Sequence, residues 1–159
     1  MWIYKALGTL LLACSGVMAA TELNRVASAA LRQNEGMMAL LRTVRGQIEC
    51  FSLPIGTILG TCEKEVLFSC GYGRDGAPRD LDELLAYTKV WDARSVAIVS
   101  QFALEFGRGY REDEVRACDY ALSLLEERRA ALAAELPVRK KRNATLTICA
   151  SLALALLLL

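Results

Sequence analysis

The sequence predicts an all-α protein, a helical bundle over 21–143 flanked by transmembrane helices at 1–20 and 144–159. Three observations carry that expectation. Apolar residues recur at steps of three and four through most of the interior, and no segment shows the period-two alternation of a half-buried strand. The apolar excess lies at the two ends: all 18 acidic and all but one of the 19 basic side chains fall between Glu22 and Arg142.

The first apolar run, Ala6–Ala20, is 15 uncharged residues long; Trp2–Tyr4 extend it if Lys5 snorkels toward the headgroups. From Glu22 to Cys50 the residues Leu23, Val26, Ala30, Met37, Leu41, Val44 and Ile48 form a helical stripe with one gap of seven. Pro54 stops it, because proline drives the preceding residue out of the helical region and itself suits the first turn of a new helix. Ile55, Ile58, Leu59, Cys62 and Val66 then predict one shorter helix over Ile55–Leu67. Three glycines and a proline within Gly71–Pro78 mark the clearest loop of the chain.

Asp80 with Glu83 resembles a capping pair at the start of a helix carrying Leu81, Leu84 and Leu85. Asp92 caps the next helix, with Val96, Val99, Ala103 and Phe106 as its apolar face and Gly107-Arg108-Gly109 as its end. The last interior stripe is the most regular: Val115, Cys118, Leu122, Leu125, Leu132 and Leu136, interrupted only by Arg129, with a break or kink expected at Pro137. The second apolar run, Ala144–Leu159, has 16 residues and an expected length of about 24 Å at 1.5 Å per residue, enough to cross a locally thinned bilayer. The long first and last stripes are expected to lie against each other, since both lead into membrane helices at one surface.

Arg139-Lys140-Lys141-Arg142 stands directly before the second run. By the positive-inside rule it holds 21–143 in the cytoplasm, with both chain ends outside, in a multi-pass integral protein of the cell membrane. The same four cations face the lipid bilayer as a partner, and Arg42 and Arg45 belong to a solvated helix face. An alternative topology follows from Lys5, the apolar stretch and Val17-Met18-Ala19, which together have the layout of a secretory signal. The chain would then be an exported, membrane-tethered helical binding module.

Chemistry is sparse. There is no histidine, which excludes Ser-His-Asp and Cys-His nucleophile pairs, and a net charge of +1 disfavours nucleic acid as a partner. The carboxylates Glu63/Glu65, Asp82/Glu83, Glu112-Asp113-Glu114 and Glu126/Glu127 adjoin basic residues and read as solvated helix faces. Gly71-x-Gly73-x-x-Gly76 matches a dinucleotide fingerprint in letters but follows a helix instead of a strand. Cys50, Cys62, Cys70 and Cys118 contain no CxxC. Asn143-Ala144-Thr145 fits a glycosylation sequon beside the membrane, where it carries no weight for a cytoplasmic domain. No catalytic residue, cofactor, metal site or small-molecule substrate is expected. The corner Phe106–Arg111 has the composition of a partner contact, with Phe106, Arg108, Tyr110 and Arg111 as its candidates; it suits a packed helix connection equally well.

The layout and several short words resemble the stage III sporulation protein AB family. Ala39-Leu40-Leu41-Arg42, Gln47-Ile48 and Pro54-Ile55 are similar to one family stretch. Phe106-Gly107-Arg108, Arg111-Glu112, Ala121-Leu122 and Leu125-Glu126 are similar to a second. The chain departs from the family at Gly109-Tyr110, where relatives have Ser-Asp, at Cys50-Phe51, Leu53 and Glu114, and in its glycine-poor tail. The resemblance implies a non-catalytic subunit of the sporulation channel between mother cell and forespore. Its cytoplasmic domain would be similar to that of the type II secretion F protein. Its partners would be other channel subunits, including the cytoplasmic ATPase stage III sporulation protein AA.

Overall fold

The computed structural model describes the backbone of residues 2–51 and 53–158 and the side chains of 15, 16, 18–51, 53–150 and 153. Helix accounts for 81% of the chain and no strand occurs among the described residues, so the all-α class holds. The helices are α1 (Trp2–Phe51), α2 (Ile55–Thr61), α3 (Lys64–Ser69), α4 (Leu81–Ala86), α5 (Ala93–Glu105) and α6 (Arg111–Leu158). Two compact units result, 29–132 and the paired arms 1–28 with 133–159, each taking part of α1 and α6.

Unit 29–132 holds the core. Met37, Leu40, Leu41, Val44 and Ile48 on α1 meet Ile58 and Leu59 of α2, Leu67 of α3, Leu81 and Leu84 of α4, Val99 and Phe102 of α5, and Cys118, Ala121 and Leu125 of α6. The two long helices are antiparallel here. Arg129 Nε donates to Glu35 Oε1 at 2.9 Å and Arg45 Nε to Asp119 Oδ1 at 2.6 Å, so ten residues forward on α1 match ten residues back on α6. Arg45 also reaches Glu49 at 2.6 Å, which commits its charge within the protein.

Three local expectations need correction. The helix expected over Ile55–Leu67 is two, because Cys62 and Glu63 are both extended and leave α3 to start afresh at Lys64. Nothing in the apolar spacing marks that break. Pro137 does not end the last helix, which runs through it to Leu158. Proline removes a hydrogen bond to the carbonyl four residues earlier, and both Pro137 and Ala133 stand on the exposed side of α6, away from the core. Each terminal run continues the adjoining interior helix instead of forming a separate one. The expected apolar face of α5 does pack on the core, Val99 buried and Val96, Ala103 and Phe106 partly so, joined by the buried Ser95 and Phe102.

The loop Gly71–Pro78 forms as expected, and it begins with a helix cap. Gly71, at φ 95°, donates to the Phe68 carbonyl and Tyr72 to the Leu67 carbonyl, the paired bonds of a Schellman ending. Lys89 then donates to the Gly71 carbonyl at 2.8 Å, and Tyr72 and Thr88 form an isolated antiparallel bridge. Gly36 serves a different purpose: a Cβ there would lie 2.6 Å from the Ser69 carbonyl carbon and 2.8 Å from the Cys70 nitrogen. Its missing side chain lets the end of α3 lie directly on α1.

In the unit of paired arms, Asn143 Nδ2 donates to Asn24 Oδ1 at 3.3 Å. Among the described residues no helix is long and apolar enough to cross a membrane. The side chains of 1–14, 17, 151, 152 and 154–159, most of the two expected transmembrane runs, lie outside the described residues.

Candidate functional site

The corner expected to meet a partner joins α5 to α6. Phe106 caps α5, donating to the Phe102 carbonyl at 2.9 Å, and its ring rests on Phe102 with centroids 5.2 Å apart. Gly107 then turns the chain at φ 81°, a conformation that only glycine adopts without strain. The Tyr110 carbonyl receives the amides of Asp113 and Glu114 at 2.9 and 3.1 Å and so starts α6. Its side chain is left 86% exposed. Arg108 and Arg111 are exposed and make no ion pair among the described residues. Three of the four expected contact residues are therefore exposed, while Phe106 is partly buried and packs against the core. Arg139, Lys140, Lys141 and Arg142 are all exposed on the unit of paired arms, with Arg139 bound to Glu135 at 2.6 Å.

A second constellation, which the sequence reading missed, lies inside unit 29–132. Gln33, fully buried on α1, uses its complete hydrogen-bonding capacity on backbone. Its Nε2 donates to the carbonyls of Cys70 and Lys89 at 2.8 and 2.7 Å. Its Oε1 accepts from the amides of Trp91 and Asp92 at 2.8 and 2.9 Å. One side chain thus ties the end of α3 and the segment leading into α5 to α1. Beside it Asn34 Nδ2 donates to Ser95 Oγ at 2.8 Å, and Ser95 Oγ donates to Asp92 Oδ2 at 2.6 Å. Asp92 caps α5 through the Ser95 amide at 3.0 Å, as its sequence position predicts. It also accepts a fork from Arg128, Nε to Oδ2 at 3.0 Å and Nη2 to Oδ1 at 2.7 Å.

The ion pair is nearly dry, with 8% of the Asp92 side chain and 16% of Arg128 exposed. Burial is the largest single influence on the Asp92 carboxyl and pushes its pKa upward; the Arg128 and Ser95 hydrogen bonds with the Arg128 charge outweigh it, holding the pKa at about 2. A carboxylate held that low is a poor proton acceptor, and the Ser95 hydroxyl proton is already committed to it. The constellation clasps the fold and offers no nucleophile. Among the described residues no cluster of His, Cys, Asp or Glu is placed to hold a metal ion. Burial pushes the Cys70 and Cys118 thiols up to about 12, with a smaller contribution from neighbouring Cys62 and Asp119 respectively, so both sulfurs are unreactive at neutral pH. Cys50 is exposed. A shallow concavity of about 160 Å³ between α5 and α6, lined by Arg94, Ile98, Leu124, Glu127, Arg128 and Ala131, leaves Arg128 accessible from outside only at its edge. No family model matches the chain, and no curated protein or solved structure matches it.

Proposed function

We propose that this chain is a non-catalytic, membrane-anchored adaptor whose helical bundle receives a cytoplasmic protein, and that it serves as a subunit of the sporulation trans-envelope channel. The observation that carries the anchoring is the Asn143–Asn24 contact at 3.3 Å. It lies one residue before the Ala144–Leu159 run and four residues after the Ala6–Ala20 run, so the two runs leave that level side by side. Two helices leaving together, with a basic block immediately before one of them, suit a pair that enters the bilayer from its cytoplasmic face. The exposed apolar side chains Met18, Leu146 and Ile148 on the same unit favour lipid over water around it.

The adaptor role rests on the open corner of Arg108, Tyr110 and Arg111, an aromatic and two arginines that the protein does not use itself. The partner, on the resemblance to stage III sporulation protein AB, is the secretion-type ATPase stage III sporulation protein AA. Full-length chain in detergent is expected to retain that ATPase and to lose it on Tyr110→Ala or Arg108→Glu, with unchanged helical content. Retention by both variants removes the corner from the proposal. The topology has its own test. In intact cells a membrane-impermeant maleimide is expected to leave Cys50 unmodified until the membrane is opened. Modification before opening, with an N-terminus starting at Ala20, replaces this reading with the exported one. Cys70 and Cys118 are too buried to report.

A further inference from the structure

We infer that the paired arms bind anionic phospholipid headgroups selectively, through Lys140, Lys141 and Arg142. This rests on the anchoring reading above and adds a ligand to it. Residues 1–28 and 133–159 carry six basic side chains against two acidic ones, whereas 29–132 carries thirteen against sixteen. The excess cation is thus gathered on the arms. Both acidic groups there are already used: Glu22 pairs with Arg25 at 3.5 Å and Glu135 with Arg139 at 2.6 Å. Lys140, Lys141 and Arg142 are exposed and have no ion pair among the described residues.

Their spacing on α6 narrows the ligand. Arg142 and Leu146 stand four residues apart and Lys141 and Ile148 seven, so these two cations each share a helix face with an apolar side chain one or two turns further on, and Lys140 adds charge beside them. Leu146 and Ile148 are 62% and 60% exposed. A cation followed along one face by exposed hydrocarbon matches a headgroup phosphate followed by its acyl chains. A nucleic acid or free phosphate would use the cations and leave the hydrocarbon in water. Basic side chains near an anionic surface each raise association about fivefold, so three of them give a preference well above measurement error.

The test offers delipidated full-length protein an equimolar mixture of phosphatidylglycerol and phosphatidylcholine in detergent and measures the lipids that copurify. Phosphatidylglycerol is expected at about fivefold enrichment or more. The triple variant Lys140→Gln, Lys141→Gln, Arg142→Gln is expected to bring the ratio to near one. Lys140→Arg with Lys141→Arg is expected to keep it, which separates charge from folding. Equal uptake of the two lipids by the unaltered chain overturns the selectivity and leaves the anchoring intact, as does enrichment that survives the triple variant. Retention of RNA in place of lipid gives the cations to nucleic acid and overturns the inference. A chain that takes up neither lipid and stays in solution without detergent overturns the anchoring itself.

Discussion

At the scale of single residues, the polar clasp sets the terms. Gln33 satisfies four backbone groups from two segments, and Gln33→Ala leaves two carbonyls and two amides in the interior without partners. A buried group so stranded costs on the order of 1–3 kcal/mol; with some rescue by entering water, the variant is expected to lose about 3 kcal/mol in urea unfolding. Asp92 makes a second prediction, with a definite sign. Its carboxyl titrates near 2 in the folded protein, below the value of about 3.9 in an unfolded chain, so its contribution is complete above pH 4 and lost as pH falls toward 2. The loss is about 2 kcal/mol, and Asp92→Asn is expected to be less stable at pH 6 and to show a shallower decline over that window, read from urea midpoints at successive pH values. Two interruptions of the apolar stripes mark polar contacts that periodicity alone does not interpret. The gap of seven between Ala30 and Met37 is where Gln33 and Asn34 occupy the inward face, and Arg129, the interruption in the last stripe, reaches across to Glu35. Asp92 was legible as a helix cap, because capping is local; its Arg128 partner lies 36 residues away and leaves no local signal.

Elements were legible where a single residue type dictates the backbone. Pro54, the glycines of 71–78, the caps Asp80 and Asp92, and Gly107 each mark a boundary at the expected place. Asp80 Oδ1 accepts the Glu83 amide at 2.7 Å, and Glu83 Oε2 reaches back to the Arg79 amide at 2.8 Å, a displaced form of the reciprocal capping pair. The division of α2 from α3 was not legible, because Cys62 and Glu63 hold extended conformations that no special residue demands. Of the break or kink expected at Pro137, the break does not occur: a helix long enough on both sides absorbs one missing bond. That gives a prediction for α6. Because Pro137 sits inside a continuous helix, Pro137→Ala restores a bond without adding helical residues. Thermal stability is expected to rise by about 1–3 kcal/mol while the far-ultraviolet helical signal stays within error. A rise in helical signal by several residues' worth would mean that the helix stops at Pro137.

For the molecule as a whole, the division of labour follows from where the apolar side chains are. The central core draws on α1 only from Met37 onward and on α6 only as far as Leu125, so everything it needs lies within 29–132. Among the described residues that core is built from side chains of 29–132, and the exposed apolar residues of the arms need a covering of their own. The candidate corner follows the same division, since Arg108, Tyr110 and Arg111 are placed by the end of α5 and the start of α6. A chain of residues 21–143 is therefore expected to remain in solution without detergent and to unfold in one cooperative step, as small domains with a single core do. It is also expected to keep the pH dependence set by Asp92. The full chain is expected to need detergent and to show the same urea midpoint for its central unit, followed by tryptophan fluorescence from Trp91, because that residue's amide is tied to Gln33. The opposite pairing, a fragment that aggregates and a full chain that stays soluble and monomeric, would mean that the terminal runs complete the core. Their hydrocarbon would then be spent inside the protein, with none left to hold it in a bilayer.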